Sequence, residues 1–112
     1  MKYSESLKKY KDFHRVYRKG KSFANKHLVM YVMKNSLTVN RIGISVSKKV
    51  GNSVVRHRIT RLVREAYRLN EEAVAAGYDI VVIGREAAKD QSFAVIEQSL
   101  LHLYHLHGMK KC

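Results

Sequence analysis

In "SLKKYKDFHRVYRKG", Leu7, Tyr10, Phe13, Val16 and Tyr17 recur at helical spacing, which predicts a short helix that Gly20 stops. Residues 1–5 ahead of it read as a frayed end. "HLVMYVMK" (27–34), rich in Val, Tyr and Met, predicts a strand, and the polar "NSLTVN" after it predicts the turn of a hairpin. "RIGISVSKK" (41–49) alternates. Ile42, Ile44 and Val46 point one way and need a core, while Gly43, Ser45 and Ser47 point the other. Such small residues, on a sheet face covered by another element, leave a groove.

Gly51 and Asn52 break that strand, and Asn52 can cap a helix. The helix runs over 53–69, and "NEEAVAAG" continues it or adds a turn before a stop at Gly77. "YDIVVIGR" (78–85) is apolar almost throughout, as a strand buried on both faces must be. "SFAVIEQSLLHLYHLHG" (92–108) predicts the last helix, with Phe93, Ile96, Leu100, Leu103 and Tyr104 among its apolar positions. The order α-β-β-β-α-β-α describes an α+β fold, an α/β sandwich with helices packed on one small mixed sheet. At 112 residues, with no internal repeat and no low-complexity linker, residues 1–112 make one domain.

Charge changes the picture. Lys and Arg number 22 against 9 Asp and Glu, a formal net charge of +13. A small domain this basic repels itself and calls for a polyanion, nucleic acid first and an anionic membrane surface second. Projecting the middle helix at about 100° per residue puts Val55, Ile59, Leu62, Val63, Ala66 and Leu69 in one buried arc. His57, Arg61, Arg64 and Arg68 take the opposite face, and Arg56 and Arg58 the two borders. Glu65 alone interrupts this surface and can pair with Arg61 or Arg68. A solvated arginine-rich face is the ordinary explanation of such a run. Three features favour RNA or DNA instead: the charges share one sign, they are arginines, and Lys48 and Lys49 precede them where a strand hands over to a helix N-terminus.

Phe13 and Tyr17 lie four apart on one helix face, with Tyr10 three before Phe13. Core packing explains such spacing equally well. The alternative is an aromatic wall, joined by Tyr31, beside the small-residue sheet face. Aromatics on a basic protein stack on unpaired bases, which favours a single strand over a duplex.

No catalytic constellation emerges. There is no Walker loop and no nucleophile elbow, and the scattered carboxylates make no two-metal nuclease site. His102 and His105 share a helix face, but His107 points to the apolar side, so a zinc set is not completed. His14, His27 and His57 have no partner that spacing identifies. The single Cys112 forms no internal disulfide, so the cytoplasm is the expected location. No apolar run is long enough for a membrane span, and the N-terminus lacks the apolar stretch of a secretory signal.

Three stretches, "DFHRVYRKGKSFANKHLVMYV", "RIGISVSKKVGNSVVRHRITRLVREAYR" and "YDIVVIGR", carry a family resemblance. Over nearly its whole length the chain resembles the protein subunit of bacterial ribonuclease P. The resemblance implies a three-layer α/β sandwich with a left-handed β-α-β crossover, an exception to the usual hand. It implies an endoribonuclease that removes the 5′ leader of precursor tRNA. The catalytic centre would lie in an RNA subunit that holds the Mg²⁺ ions, with no metal or other cofactor held by the protein. The partners would be that RNA and precursor tRNA, with no obligate protein partner. Lys48, Lys49, Asn52, Arg56, Arg58, Arg61 and Arg64 match the family's RNA-contacting signature, and Arg68 extends the same basic helix. Phe13, Tyr17 and Tyr31 match its leader-binding cleft, beside Ser45 and Ser47. Two positions depart from the pattern: His57 stands where asparagine is usual, and Thr60 where lysine is common.

Two other readings remain open on the residues alone. One is a general RNA- or DNA-binding module such as a ribosomal protein, against which stands the lack of a helix-turn-helix partner for the basic helix. The other is a protein-only nuclease, which needs acidic metal ligands that the chain does not offer.

Overall fold

The apolar run Tyr78–Gly84 (β5) is the central strand of a five-stranded sheet, with Ile80, Val81 and Val82 all 0% exposed. The computed structural model describes residues 4–110. Before β5 come β1 (Ser4–Ser6), α1 (Tyr10–Lys19), β2 (Lys21–Ala24), β3 (Leu28–Lys34), β4 (Asn40–Val46) and α2 (Ser53–Asn70). After it comes α3 (Phe93–Leu106), and short 3₁₀ turns lie at Glu71–Ala73 and Glu86–Ala88. The strand order is β1-β4-β5-β3-β2. β5 runs parallel to β4 and antiparallel to β3, β1 is parallel to β4, and β2 and β3 form an antiparallel pair. The α+β sandwich expected from the element order is therefore present.

The expected hairpin between 27–34 and 41–49 is not. β5 is apolar on both faces, so it needs a hydrogen-bonded neighbour at each edge as well as cover above and below. It inserts between β3 and β4 and displaces the pairing that sequence adjacency suggests. The 35–39 connection bridges across its start. There the Asn35 N–H donates to the Gly77 carbonyl at 3.0 Å, and the Asn35 side-chain amide donates to the Val39 carbonyl at 3.1 Å. The hairpin is β2–β3 instead.

The chain's start also differs from expectation. Ser4 and Glu5 do not fray but pair with Asn40 and Arg41, while residues 1–3 lie outside the described residues. Leu7 is not helical. Its N–H donates to the Ile42 carbonyl at 2.7 Å and its side chain is buried, so the chain stays extended until α1 begins at Tyr10. β4 likewise ends at Val46, and Ser47 belongs to the turn that follows.

Helices cover both faces. α2 and α3 bury Ile59, Val63, Ala66, Ile96, Leu100 and Leu103 against Met30, Val32, Ile42, Ile80 and Val82. α1 covers the other face, where Val16 and Leu7 meet Val81. On α2, Leu69 was expected in the buried arc but is 55% exposed, while Tyr67 is fully buried. The two point to roughly opposite sides of the helix. Tyr67 wins because its ring meets Tyr104 edge-on and its hydroxyl lies 2.6 Å from the Ser4 hydroxyl, so both its apolar and polar parts are satisfied.

Besides Val16, two contacts seat α1. Phe13 packs on Gly43, where any Cβ would strike the ring, within 2.8 Å of its Cε1. Asp79, fully buried at the start of β5, accepts from Arg41 of β4 at 2.6 and 2.8 Å, from Asn35 at 3.0 Å and from Arg15 of α1 at 3.4 Å. Burial acts to raise the Asp79 carboxyl, but these bonds, led by Arg41, outweigh it and hold the group below the usual carboxylate range.

A carboxylate depressed on folding contributes stability above its unfolded value, about 3.9, and loses it as pH falls through the folded value. Asp79→Asn is therefore expected to cost about 1.5–3 kcal/mol in urea unfolding at pH 7, with the gap to wild type narrowing below about pH 4. Equal stability at pH 7 would dismiss the clasp. Gly43→Ala is expected to lift Phe13 and cost about 1–3 kcal/mol by overpacking, read from thermal unfolding. An unchanged midpoint would mean the ring is not seated on Gly43.

Candidate nucleic-acid interface

The α1 face of the sheet is only partly covered. Strand register places Gly43, Val81, Tyr31 and Ser22 in one row across it, and Ser45, Ile83, Val29 and Ala24 in the next. α1 sits on the first row through Phe13 and Val16. In the second row Ser45, Ile83 and Val29 stay half-buried and Ala24 exposed, so this row forms the floor of a cleft beside the helix. The aromatic residues make its wall. The Tyr17 and Tyr31 rings meet edge-on at 5.1 Å, and Phe13 and Tyr17 are 6.4 Å apart. Burial pushes the Tyr17 phenol above its ordinary range, opposed by its hydrogen bond with Ser45. Phe13, Tyr17, Tyr31 and Ser45 thus come together, all half-buried. The groove expected from the small residues is filled at Gly43 by Phe13 and open at Ser45. Val29 and Ile83 escaped sequence reasoning, because only the register sets them beside Ser45.

At the end of β4 the chain turns tightly. The Ser47 hydroxyl accepts from the Lys49 N–H at 3.1 Å, and the Ser47 carbonyl accepts from the Val50 N–H at 3.0 Å. Val50 is buried, which anchors the turn and leaves Ser47, Lys48 and Lys49 exposed. Asn52 caps α2 by accepting from the Val55 N–H at 3.0 Å. The dipole of α2 makes the turn electropositive beyond its two lysines. β1 reaches only as far as Ile42, so nothing pairs with the outer edge of Gly43–Val46 among the described residues. The cleft and the turn therefore meet along an open edge.

α2 lies in the opposite layer, and its basic side chains are not equivalent. Arg56 is half-buried and donates to the Gly51 carbonyl at 3.3 Å. Arg58 is exposed and donates to the Gln91 carbonyl at 2.8 Å, linking α2 to the loop before α3. Arg68 is held by Glu65, its Nε 3.0 Å from the carboxylate, so its charge is largely matched within the helix. Among the described residues, nothing engages the guanidiniums of Arg61 and Arg64, both fully on the solvent side. His57 is exposed between them and the turn, in a depression of about 830 Å³ shared with Val54, Arg58, Arg61 and Leu62. Thr60 donates back to the Arg56 carbonyl at 3.0 Å, so its hydroxyl is spent inside the helix.

Three further histidines have structural partners. His27 bonds the Ser99 hydroxyl at 2.8 Å, and His102 lies 3.2 Å from the Asn25 amide. His107 donates to the Met30 carbonyl at 2.9 Å, edge-on to Phe23, and burial lowers its pKa. Among the described residues no group of three or more His, Cys, Asp or Glu is placed to hold a metal ion. No helix among them is long and apolar enough to cross a membrane. Cys112 lies outside the described residues.

Comparison with known proteins bears on this geometry. A family model described as Ribonuclease P matches residues 1–107. A ribonuclease P protein component from Lachnoclostridium phytofermentans is 60% identical over 104 residues, spanning 93% of this chain and 90% of that protein. Its counterpart from Clostridioides difficile is 52% identical over 101 residues, spanning 89% of each. Among solved structures, the RNase P protein of Staphylococcus aureus superposes with a TM-score of 0.87 at 39% identity, over 95% of this chain and 97% of that one. That of Thermotoga maritima gives 0.83 at 33% identity, over 90% and 96%. By sequence and by fold, the chain belongs to the ribonuclease P protein family, the protein component of a tRNA-processing endoribonuclease.

Proposed function

We propose that this chain, acting as a single RNA-binding domain in the cytoplasm, binds the RNA subunit of ribonuclease P and the 5′ leader of precursor tRNA. The reaction is hydrolysis of the phosphodiester that joins leader to mature tRNA. Its catalytic centre belongs to the RNA, and Mg²⁺ is held by that RNA and the substrate. The protein's part is electrostatic and geometric. Arg61 and Arg64, with Lys48, Lys49, Arg56 and Arg58, neutralise RNA phosphates, and the α2 N-terminus adds its dipole. Arg68, held by Glu65, contributes least. Unpaired leader bases enter the cleft between α1 and the row of Ser45, Ile83 and Val29, with Phe13, Tyr17 and Tyr31 as stacking surfaces. Ser45 on its floor and Ser47 in the adjoining turn supply hydroxyls.

The observation that carries this reading is the join along the open edge of β4. There an aromatic cleft suited to a single strand runs into a basic turn and a helix with unengaged guanidiniums. A ribosomal or DNA-binding module has no need of the cleft.

Two measurements test it. Arg61→Ala and Arg64→Ala are each expected to weaken binding to ribonuclease P RNA while unfolding stability stays at wild type. Each lost phosphate contact should reduce the slope of log affinity against log salt by roughly 0.7–0.9. Affinity unchanged in both variants would remove α2 from the interface. In the second, precursor tRNA is cleaved at low Mg²⁺ by the RNA subunit alone and then with the protein added. The protein is expected to raise the rate, and absence of stimulation would overturn the reading. Tight binding to duplex DNA without preference for that RNA would favour the general module.

A further inference from the structure

Beyond the cleft, α1 carries a second aromatic pair. Tyr10 is 82% exposed, so it does not serve the core. Its ring lies nearly parallel to that of His14, 14° between planes and 5.9 Å between centroids. His14 is exposed as well. Around the helix, at about 100° per residue, Phe13, Tyr17, Tyr10 and His14 follow one another in steps of about 40° or less. They form one ribbon that climbs from the cleft wall onto the solvent face. Lys11 and Arg18, both exposed, border the ribbon on the far side. Asp12, the only acidic residue of α1, is turned away toward Arg15 and Arg41.

We infer that Tyr10 and His14 form a second stacking platform, outside the cleft, for a further unpaired base of the leader. The inference rests on the reading of the cleft as a leader site and extends it. Two flat, exposed and nearly parallel rings present an outer surface on which a base can stack, and sequence does not matter because every base has a π face. Lys11 and Arg18 sit where the phosphates of a strand crossing the helix would pass, and no carboxylate of α1 faces that path. RNA is favoured over an apolar protein partner because cations border the rings. Tyr10 lies two turns before Tyr17, about 10 Å along the helix axis, which is a span of about three stacked nucleotides at ~3.4 Å each. The platform therefore acts on leaders longer than the cleft alone accommodates.

The test uses the full chain, reconstituted with ribonuclease P RNA, and precursor tRNAs whose leaders lengthen one nucleotide at a time. Wild type is expected to gain affinity a second time, about three nucleotides after the gain given by the cleft. Tyr10→Ala and His14→Ala are each expected to shrink that second gain by roughly 5-fold, and Tyr10→Phe, which keeps the ring, to restore most of it. A second gain that survives both alanine substitutions overturns the platform. So does an equal loss at every leader length, which would place the rings against the RNA subunit or in the fold. Phe13→Ala separates this inference from the cleft reading. If Phe13→Ala weakens short-leader binding while Tyr10→Ala and His14→Ala change nothing, the platform alone is overturned. If none of the three has an effect, both are.

Discussion

The buried carboxylate of Asp79 ties four parts of the molecule together. Arg41 reaches it from β4, Arg15 from α1 and Asn35 from the connection between β3 and β4, while Asp79 itself opens the central strand. A single buried charge without these donors would be strongly destabilising. With them it sets where α1 lies across the sheet. That placement drops Phe13 onto Gly43, aligns Tyr17 with Tyr31 and Ser45, and leaves the next row of the sheet open. The cleft is thus the uncovered remainder of a face whose other end is pinned by ion pairs.

The same economy of charge shapes the basic surface. Asp12 and Asp79 are committed to Arg15 and Arg41, and Glu65 to Arg68. Those arginines hold the fold or each other's partners. Among the described residues, Lys48 and Lys49 of the turn after β4 and Arg61 and Arg64 of α2 remain exposed and unengaged, as do Lys11 and Arg18 of α1. Unengaged positive charge thus lies on both helical layers of the sandwich. The short edge strand β1 matters here, since it stops at Ile42 and leaves the passage between the layers open.

Much of this was legible in residue order because it depends on periods of two and 3.6. The alternation of Ile42, Ile44 and Val46 with Gly43 and Ser45 separated the two faces of β4, though both are covered in part and Ser47 lies in the turn. The spacing of Phe13 and Tyr17 located the wall, and the arc of Val55, Ile59 and Val63 left the arginines outside. Misreadings fell where a long-range partner decided. Leu69 and Tyr67 are both apolar enough for the stripe, and the choice went to Tyr67 through Ser4, Asn40 and Tyr104. Leu7 fits the helical pattern but remains extended because Ile42 offers a carbonyl. The helical projection set Arg56 and Arg58 apart at the borders, while the carbonyls that these two engage, and the choice of Arg68 over Arg61 by Glu65, came from the folded neighbours.

By itself, the sequence determined the kinds of element, which side of each is apolar, the excess of positive charge and the family. The first three follow from local sterics and side-chain chemistry, which each residue carries with it, and the family from the three stretches that carry the resemblance. The tertiary structure alone decided that β5 separates β3 from β4, and so which residues share a row. Strand pairing joins residues far apart in the chain, and many pairings satisfy the same alternating pattern. The floor of Ser45, Ile83 and Val29 exists only because that one order was chosen, the order in which the strand with two apolar faces occupies the centre.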